Sequence, residues 1–122
     1  MRLVPKKIVE LVLERDGRLC VIGGRHCLGE ATVADHRANR GSGGSRSLDV
    51  PHVLIAACTL CNGLKEDAVG LYRESLIDRG IRVLKAATNR ETAHRCELAP
   101  VQYPDGRWWL LHPDGSRTPV GP

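Results

Sequence analysis

Residues 20–62 read CVIGGRHCLGEATVADHRANRGSGGSRSLDVPHVLIAACTLCN, and this stretch decides the fold. It holds two cysteine pairs, Cys20 with Cys27 and Cys58 with Cys61, on either side of an Asp-His pair. Four thiolates arranged in two pairs are typical of a closed tetrahedral zinc site, which holds structure and performs no chemistry. The alternative, four unrelated buried thiols, leaves the pairing unexplained.

Side chains of a different chemistry accompany the cysteines. Asp35 and His36 lie between the two pairs, and Asn62 directly follows the last cysteine. Carboxylate and amide oxygens suit a hydrated Mg²⁺ or Mn²⁺, and an imidazole can accept a proton from an attacking water. Because closing the zinc site would bring Asp35 and His36 near Asn62, we expect a second, catalytic metal site. This set predicts hydrolysis of a phosphodiester.

Composition favours one small domain that needs a metal for stability. The chain has 122 residues, no Phe and only 3% aromatic residues, so its core is small. No apolar segment resembles a signal peptide or is long enough to span a membrane. We therefore expect a cytoplasmic protein whose paired cysteines bind metal in a reducing compartment. The fifth cysteine, Cys96, is expected to be a small buried apolar residue.

A basic, glycine-rich loop follows the Asp-His pair. Arg37, Arg40 and Arg46 lie in it with no acidic residue among them, and the net charge of the chain is +4. Such loops can reach nucleic-acid phosphates through guanidinium groups and backbone N–H groups. An ordinary solvated loop has the same composition, so the loop alone leaves both interpretations open.

The remaining patterns predict an α+β fold. Pro5 to Arg15 reads as a helix. Short apolar runs predict paired strands near residues 19–22 and 31–34, and a strand over 81–86. A helix is expected over 62–79, or two shorter helices that break near 65–67. Asp-Gly turns predict a C-terminal β-meander over about 101–120.

The stretch ADHRANRGSGGS at 34–45, followed by CTLCNGLK at 58–65, resembles the HNH endonuclease family, above all its small members in bacteriophages of actinobacteria. The resemblance implies a ββα-metal (His-Me finger) core over about 15–80, stapled by a zinc site of four cysteines. In that core two antiparallel strands, a loop and a helix surround one divalent ion. An N-terminal helix and a C-terminal β extension over about 81–122 would complete a single domain.

The resemblance also implies roles for individual residues. His36 matches the general base, and Asp35 and Asn62 match the ligands of the catalytic Mg²⁺ or Mn²⁺. The four paired cysteines match structural zinc ligands, and Lys65 stands where the family often has a basic residue near DNA phosphate. Val53 stands where the family has an Asn that orients the catalytic His, and the neighbouring His52 is a candidate to replace it.

The leading hypothesis is therefore a DNA endonuclease, a monomer or a homodimer, that acts in phage genome packaging with terminase proteins or in gene mobility. The second hypothesis is a zinc-stabilised module that binds DNA or a phage protein without cutting, and Val53 favours it. A third, a purely structural zinc domain, does not explain why Asp35, His36 and Asn62 fall at the motif positions.

Overall fold

The computed structural model describes residues 3–39 and 46–121, which form four α-helices and two small antiparallel sheets. The fold class is therefore α+β, as the sequence predicts. Two 3₁₀ turns, Arg46–Leu48 and Pro51–Val53, precede the second strand. In chain order the elements are α1 (Lys6–Arg15), β1 (Val33–His36), β2 (Leu54–Ala57), α2 (Thr59–Glu66), α3 (Gly70–Asp78), α4 (Asn89–Leu98), β3 (Val101–Gln102), β4 (Trp108–Leu111) and β5 (Arg117–Val120).

Helix α1 confirms the prediction for the N-terminal segment. It begins after Pro5, whose fixed φ suits a helix start, and the chain turns away at Gly17, which has a φ of 65°. The helix buries Val12 and Leu13 against the main core. This packing places α1 beside the sheet of β1 and β2.

Strands β1 and β2 form an antiparallel pair, with Asp35 opposite Ile55 and His36 opposite Leu54. All four residues of β2 are buried, which explains their uninterrupted apolar sequence. The chain then enters α2 at once, with Cys58 as the N-cap. Strand, strand and helix thus follow one another, and the Asp-His pair lies at the end of β1.

The predicted pairing of 19–22 with 31–34 is wrong. An isolated antiparallel bridge joins Leu19 to Glu30, just before the second segment, and that segment leads into β1, which pairs with β2 instead. The N–H of Val21 donates to the carbonyl of Ala56 on β2, so the earlier segment joins that strand at a single point. Beyond it, Gly23 turns the chain with a φ of 58° towards Cys27.

The helical region 59–78 is divided, as the two-helix alternative predicts. Helix α2 ends at Glu66, and α3 begins at Gly70, which has a φ of 60°. Gly80 follows α3 with a φ of 70°, and a Cβ there would lie 2.0 Å from the carbonyl oxygen of Pro100. This close approach requires glycine.

The prediction of an all-β segment after residue 80 is wrong in its first half. No strand forms over 81–86, where the N–H of Val83 donates to the carbonyl of Arg37. Helix α4 follows, and its N-cap Thr88 accepts a hydrogen bond from the N–H of Glu91 at 3.1 Å. The predicted meander is confirmed over β3, β4 and β5.

The meander closes one side of the main core. The hydroxyl of Tyr103 donates a short hydrogen bond to Asp16 at the end of α1. The Tyr103 ring meets Trp109 edge to face, with centroids 6.3 Å apart, and Arg117 stacks over the Trp109 ring. Within the described ranges, no helix is both long and apolar enough to cross a bilayer.

Candidate functional site

Four cysteine sulfurs meet where segment 20–27 passes the start of α2. The sulfur atoms of Cys20, Cys27, Cys58 and Cys61 all lie within 4.8 Å of one another, and all four thiols are free. A tetrahedral zinc with bonds of about 2.3 Å would hold its sulfurs about 3.8 Å apart, so little movement is needed. The four cysteines therefore form a cluster that could hold a metal ion such as zinc.

Backbone N–H groups donate hydrogen bonds to two of the sulfurs in this cluster. The sulfur of Cys58 accepts hydrogen bonds from the N–H groups of Cys61 and Leu28, at 3.3 and 3.5 Å. Burial raises the pKa of the Cys58 thiol, but these N–H groups, together with hydrogen bonds from the thiols of Cys61 and Cys20, outweigh burial and lower it to about 6. The N–H of Gly29 donates to the sulfur of Cys27 in the same way. Such donors stabilise thiolates, the form that binds metal.

A second polar group lies where the end of β1 meets α2. The ammonium of Lys65 lies 3.2 Å from Oδ2 of Asp35 and donates to the carbonyl of His36 at 2.8 Å. The Lys65 and Asp35 side chains are only 2% and 5% exposed. Burial raises the pKa of Asp35, and the nearby ammonium opposes that rise.

Oδ2 of Asp35 is nevertheless short of partners. It is buried and accepts no hydrogen bond, because the ammonium is close enough for an ion pair but is not aligned with it. Asn62 is half-buried on α2, one turn before Lys65, and residues three apart share a helix face. A carboxylate oxygen without a hydrogen bond and an amide on the adjoining helix have the donor chemistry that Mg²⁺ prefers.

His36 has a carboxylate partner that the sequence analysis did not single out. Its Nε2 lies 2.7 Å from Oδ1 of Asp49, in the segment between the two 3₁₀ turns. The Asp49 side chain is 2% exposed and that of His36 is 18% exposed. One signal was present, because Asp49 is the first acidic residue of the chain after Asp35.

Two of the residues predicted to contact DNA lie inside the protein. Arg37 is wholly buried and donates to the backbone carbonyls of His52, Gly80, Cys96 and Ala99. Burial lowers its pKa to about 10. The prediction for Arg37 is therefore wrong, since its donors are used within the fold.

The prediction for Lys65 is wrong for the same reason, because its ammonium faces Asp35 and the carbonyl of His36. Arg46 is exposed at the start of the first 3₁₀ turn, so a DNA contact there stays a prediction. Arg40, the remaining predicted contact, lies outside the described residues.

His52 is not placed to orient His36. It is buried in the 3₁₀ turn that packs against α4, and its Nδ1 has no partner. Burial lowers the pKa of His52.

Val53 packs in a second buried cluster that also contains Ala38, Leu48 and Cys96. The prediction that Cys96 is a small buried apolar residue is therefore confirmed.

Comparison of the chain with protein-family models, with curated proteins and with solved structures finds no match.

Proposed function

We propose that this protein is a divalent-metal-dependent DNA endonuclease of the HNH type. One juxtaposition carries the proposal: β1 ends with Asp35 and His36 against α2, the helix that carries Asn62. The order of strand, strand and helix is the one expected for a ββα-metal core. A carboxylate, an imidazole and an amide at that junction are the groups that metal-assisted phosphodiester hydrolysis needs.

In this proposal Asp35 and Asn62 hold the catalytic Mg²⁺ or Mn²⁺. When bound, the ion supplies positive charge that stabilises the scissile phosphate and the leaving oxygen. The buried oxygen Oδ2 of Asp35, which lacks a hydrogen bond, fits this role. His36, partly exposed at the strand end, takes the proton from the attacking water.

The cysteine cluster has a structural role in the proposal. Zinc bound by its four thiolates would join segment 20–27 to the N-terminus of α2, which begins after Cys58. Because Asn62 lies within the first turn of that helix, bound zinc would hold in place the helix end that carries Asn62. A zinc ion held by all four sulfurs would have no open position for substrate, so its role would be structural.

Cleavage of supercoiled plasmid in Mg²⁺ or Mn²⁺ tests the proposal. The wild type should nick the plasmid in an ion-dependent manner, and His36→Ala should lower the rate by about 100-fold or more. Asn62→Ala should raise the ion concentration needed for half-maximal rate. Glu74→Gln, an exposed carboxylate on α3, is the matched control and should cleave like the wild type.

Equal cleavage by the wild type and His36→Ala would overturn the proposal, because it would identify a contaminating nuclease. Absence of cleavage by folded, zinc-loaded wild type in both ions would overturn it as well.

A second candidate function is a zinc-stabilised module that binds DNA without cutting it. The observation that favours it is the Lys65 ammonium, which already supplies a counter-charge to Asp35. Val53, buried where the HNH family has an Asn, favours the same function. Salt-sensitive DNA binding in a gel-shift assay, combined with no ion-dependent cleavage, would distinguish this function from the nuclease.

A further inference from the structure

We propose that Asp49 is the positioning residue for His36: its carboxylate fixes the tautomer and the orientation of the imidazole, so that Nδ1 carries the free lone pair. This inference deepens the proposed nuclease function and rests on it for its catalytic consequence. It assigns to Asp49 the orienting role that an Asn at position 53 has in the HNH family, and for which the sequence offers His52 as the candidate.

The contact itself is short and sheltered from solvent. Oδ1 of Asp49 lies 2.7 Å from Nε2 of His36, and the carboxylate side chain is 2% exposed. A charge-assisted hydrogen bond of this length, with one partner removed from water, holds a ring more firmly than an exposed pair can.

The backbone around Asp49 is fixed independently of His36. The preceding residue, Leu48, is fully buried in the second cluster, and the N–H of Asp49 donates to the carbonyl of Arg46 at 3.0 Å. On the other side Pro51 opens the second 3₁₀ turn, and the N–H of Val53 donates to the carbonyl of Val50. The carboxylate is therefore in place before any substrate arrives, as preorganised catalysis requires.

The chemistry of the pair determines which ring nitrogen is the base. An ionised carboxylate accepts hydrogen bonds and donates none, so Nε2 of a neutral His36 must carry the proton. Nδ1 then has the lone pair, and it is the atom that takes the proton from water. Without Asp49 the imidazole would populate both tautomers and more than one rotamer.

Neither Val53, which stands where the HNH family has its orienting Asn, nor His52, the candidate to replace that Asn, makes this contact. Val53 has no polar side chain and packs against apolar neighbours, and His52 lies in the 3₁₀ turn that packs against α4. Among the described residues, Asp49 is the side chain that lies within hydrogen-bond distance of the His36 ring.

Two measurements on zinc-loaded protein test the inference. The first is a two-bond ¹⁵N–¹H correlation spectrum of histidine-labelled protein, at a pH where the imidazole is neutral. In the wild type, His36 should be protonated at Nε2. In Asp49→Ala it should show the averaged shifts of two tautomers, and in Asp49→Asn, whose amide oxygen still accepts, it should keep the Nε2–H form.

The second measurement is plasmid cleavage. Asp49→Ala should lower kcat by about 10- to 100-fold with KM unchanged, the cost typical of removing an orienting partner. Asp49→Asn should recover most of that loss. Glu74→Ala, which removes an exposed carboxylate from α3, should leave both kcat and the His36 spectrum unchanged.

The outcomes separate the two proposals. A wild-type His36 protonated at Nδ1, or a spectrum or a kcat unaffected by Asp49→Ala, would overturn the positioning role of Asp49. An inactive wild type would overturn the nuclease, and the spectrum would then still decide whether Asp49 fixes the ring.

Discussion

Lys65 on α2 holds its ammonium 3.2 Å from Oδ2 of Asp35 on β1, and both side chains are almost wholly inside the protein. The same ammonium donates to the carbonyl of His36, so one side chain joins the helix to the strand end. Because Asp35 is also the proposed ligand of a divalent ion, the ammonium and the ion act on the same carboxylate. Stability and ion binding should therefore be linked at this position.

Replacement of Lys65 by Met tests whether stability and Mg²⁺ binding are linked at Asp35. In Mg²⁺-free buffer the free energy of unfolding should fall by about 3 kcal/mol, because Asp35 is left buried without its counter-charge. Added Mg²⁺ should recover part of the loss, since the ion supplies the missing charge. Urea unfolding followed by tryptophan fluorescence, with and without Mg²⁺, measures both effects.

The control is Arg18→Met. Arg18 pairs with Glu10 and Glu14 at the surface, so its loss changes the charge of the chain equally without touching Asp35. If Mg²⁺ stabilises Lys65→Met no more than Arg18→Met, there is no cation site at Asp35.

Zinc should be part of the folded state. Replacing Cys58 by Ser should abolish stoichiometric zinc binding and leave the protein largely unfolded, because a closed thiolate site contributes its binding free energy to folding. Metal analysis and circular dichroism on the purified variant measure the two effects.

The matched control for the zinc prediction is Cys96→Ala. Cys96 is fully buried but lies outside the cluster, so this variant should keep its zinc and lose only about 1 kcal/mol. Retention of zinc and of the fold in Cys58→Ser would contradict a structural metal at these cysteines.

Arg37 should contribute to the stability of the fold and not to DNA binding. Arg37→Lys should lower the free energy of unfolding by about 2–4 kcal/mol, because a lysine cannot reach all four carbonyls that the guanidinium serves. Urea unfolding measures this loss. Arg46→Lys, at an exposed position, should leave the free energy of unfolding unchanged.

DNA affinity distinguishes the two arginines further. Arg46→Ala should reduce the salt dependence of binding by about one phosphate contact, while folded Arg37→Lys should bind with the wild-type salt dependence. An altered salt dependence in Arg37→Lys would show that the arginine does reach the phosphates.

The sequence could not predict that Arg37 and Lys65 are buried. Charged side chains are almost never fully buried unless they are paired, so an arginine in a loop is expected to face the solvent. Four backbone carbonyls from three distant segments converge on Arg37, and that convergence exists only after the chain has folded. Local signals were sufficient elsewhere, as at Pro5 and Gly17, which bound α1.

The sequence contains a local signal for the start of helix α4. Thr88 and Glu91 have the spacing of a capping box, and Thr88 does cap the helix. The helix buries only Thr92 and Cys96, so it lacks the apolar periodicity by which helices are usually identified. The sequence of β2 is an apolar run, but no local signal showed that β2 would pair with β1, because pairing between distant segments depends on the whole core.

His52 should make stability fall as the solution becomes acidic. Burial lowers the pKa of His52 in the folded state, so the unfolded chain binds the proton more readily. Its contribution is complete above the unfolded pKa of about 6.5 and is lost as the pH falls through the window below it. His52→Gln, which cannot be protonated there, should flatten the decline in urea midpoint between about pH 7 and pH 5.

His94→Gln is the comparison that isolates this effect. His94 is exposed on the same helix, α4, that His52 faces, so its removal should leave the acid-side decline of the wild type intact. The cysteine cluster also titrates in acid, but it is common to both variants and cancels in the difference. An equal decline in His52→Gln and His94→Gln would show that His52 is not the group whose protonation opposes folding.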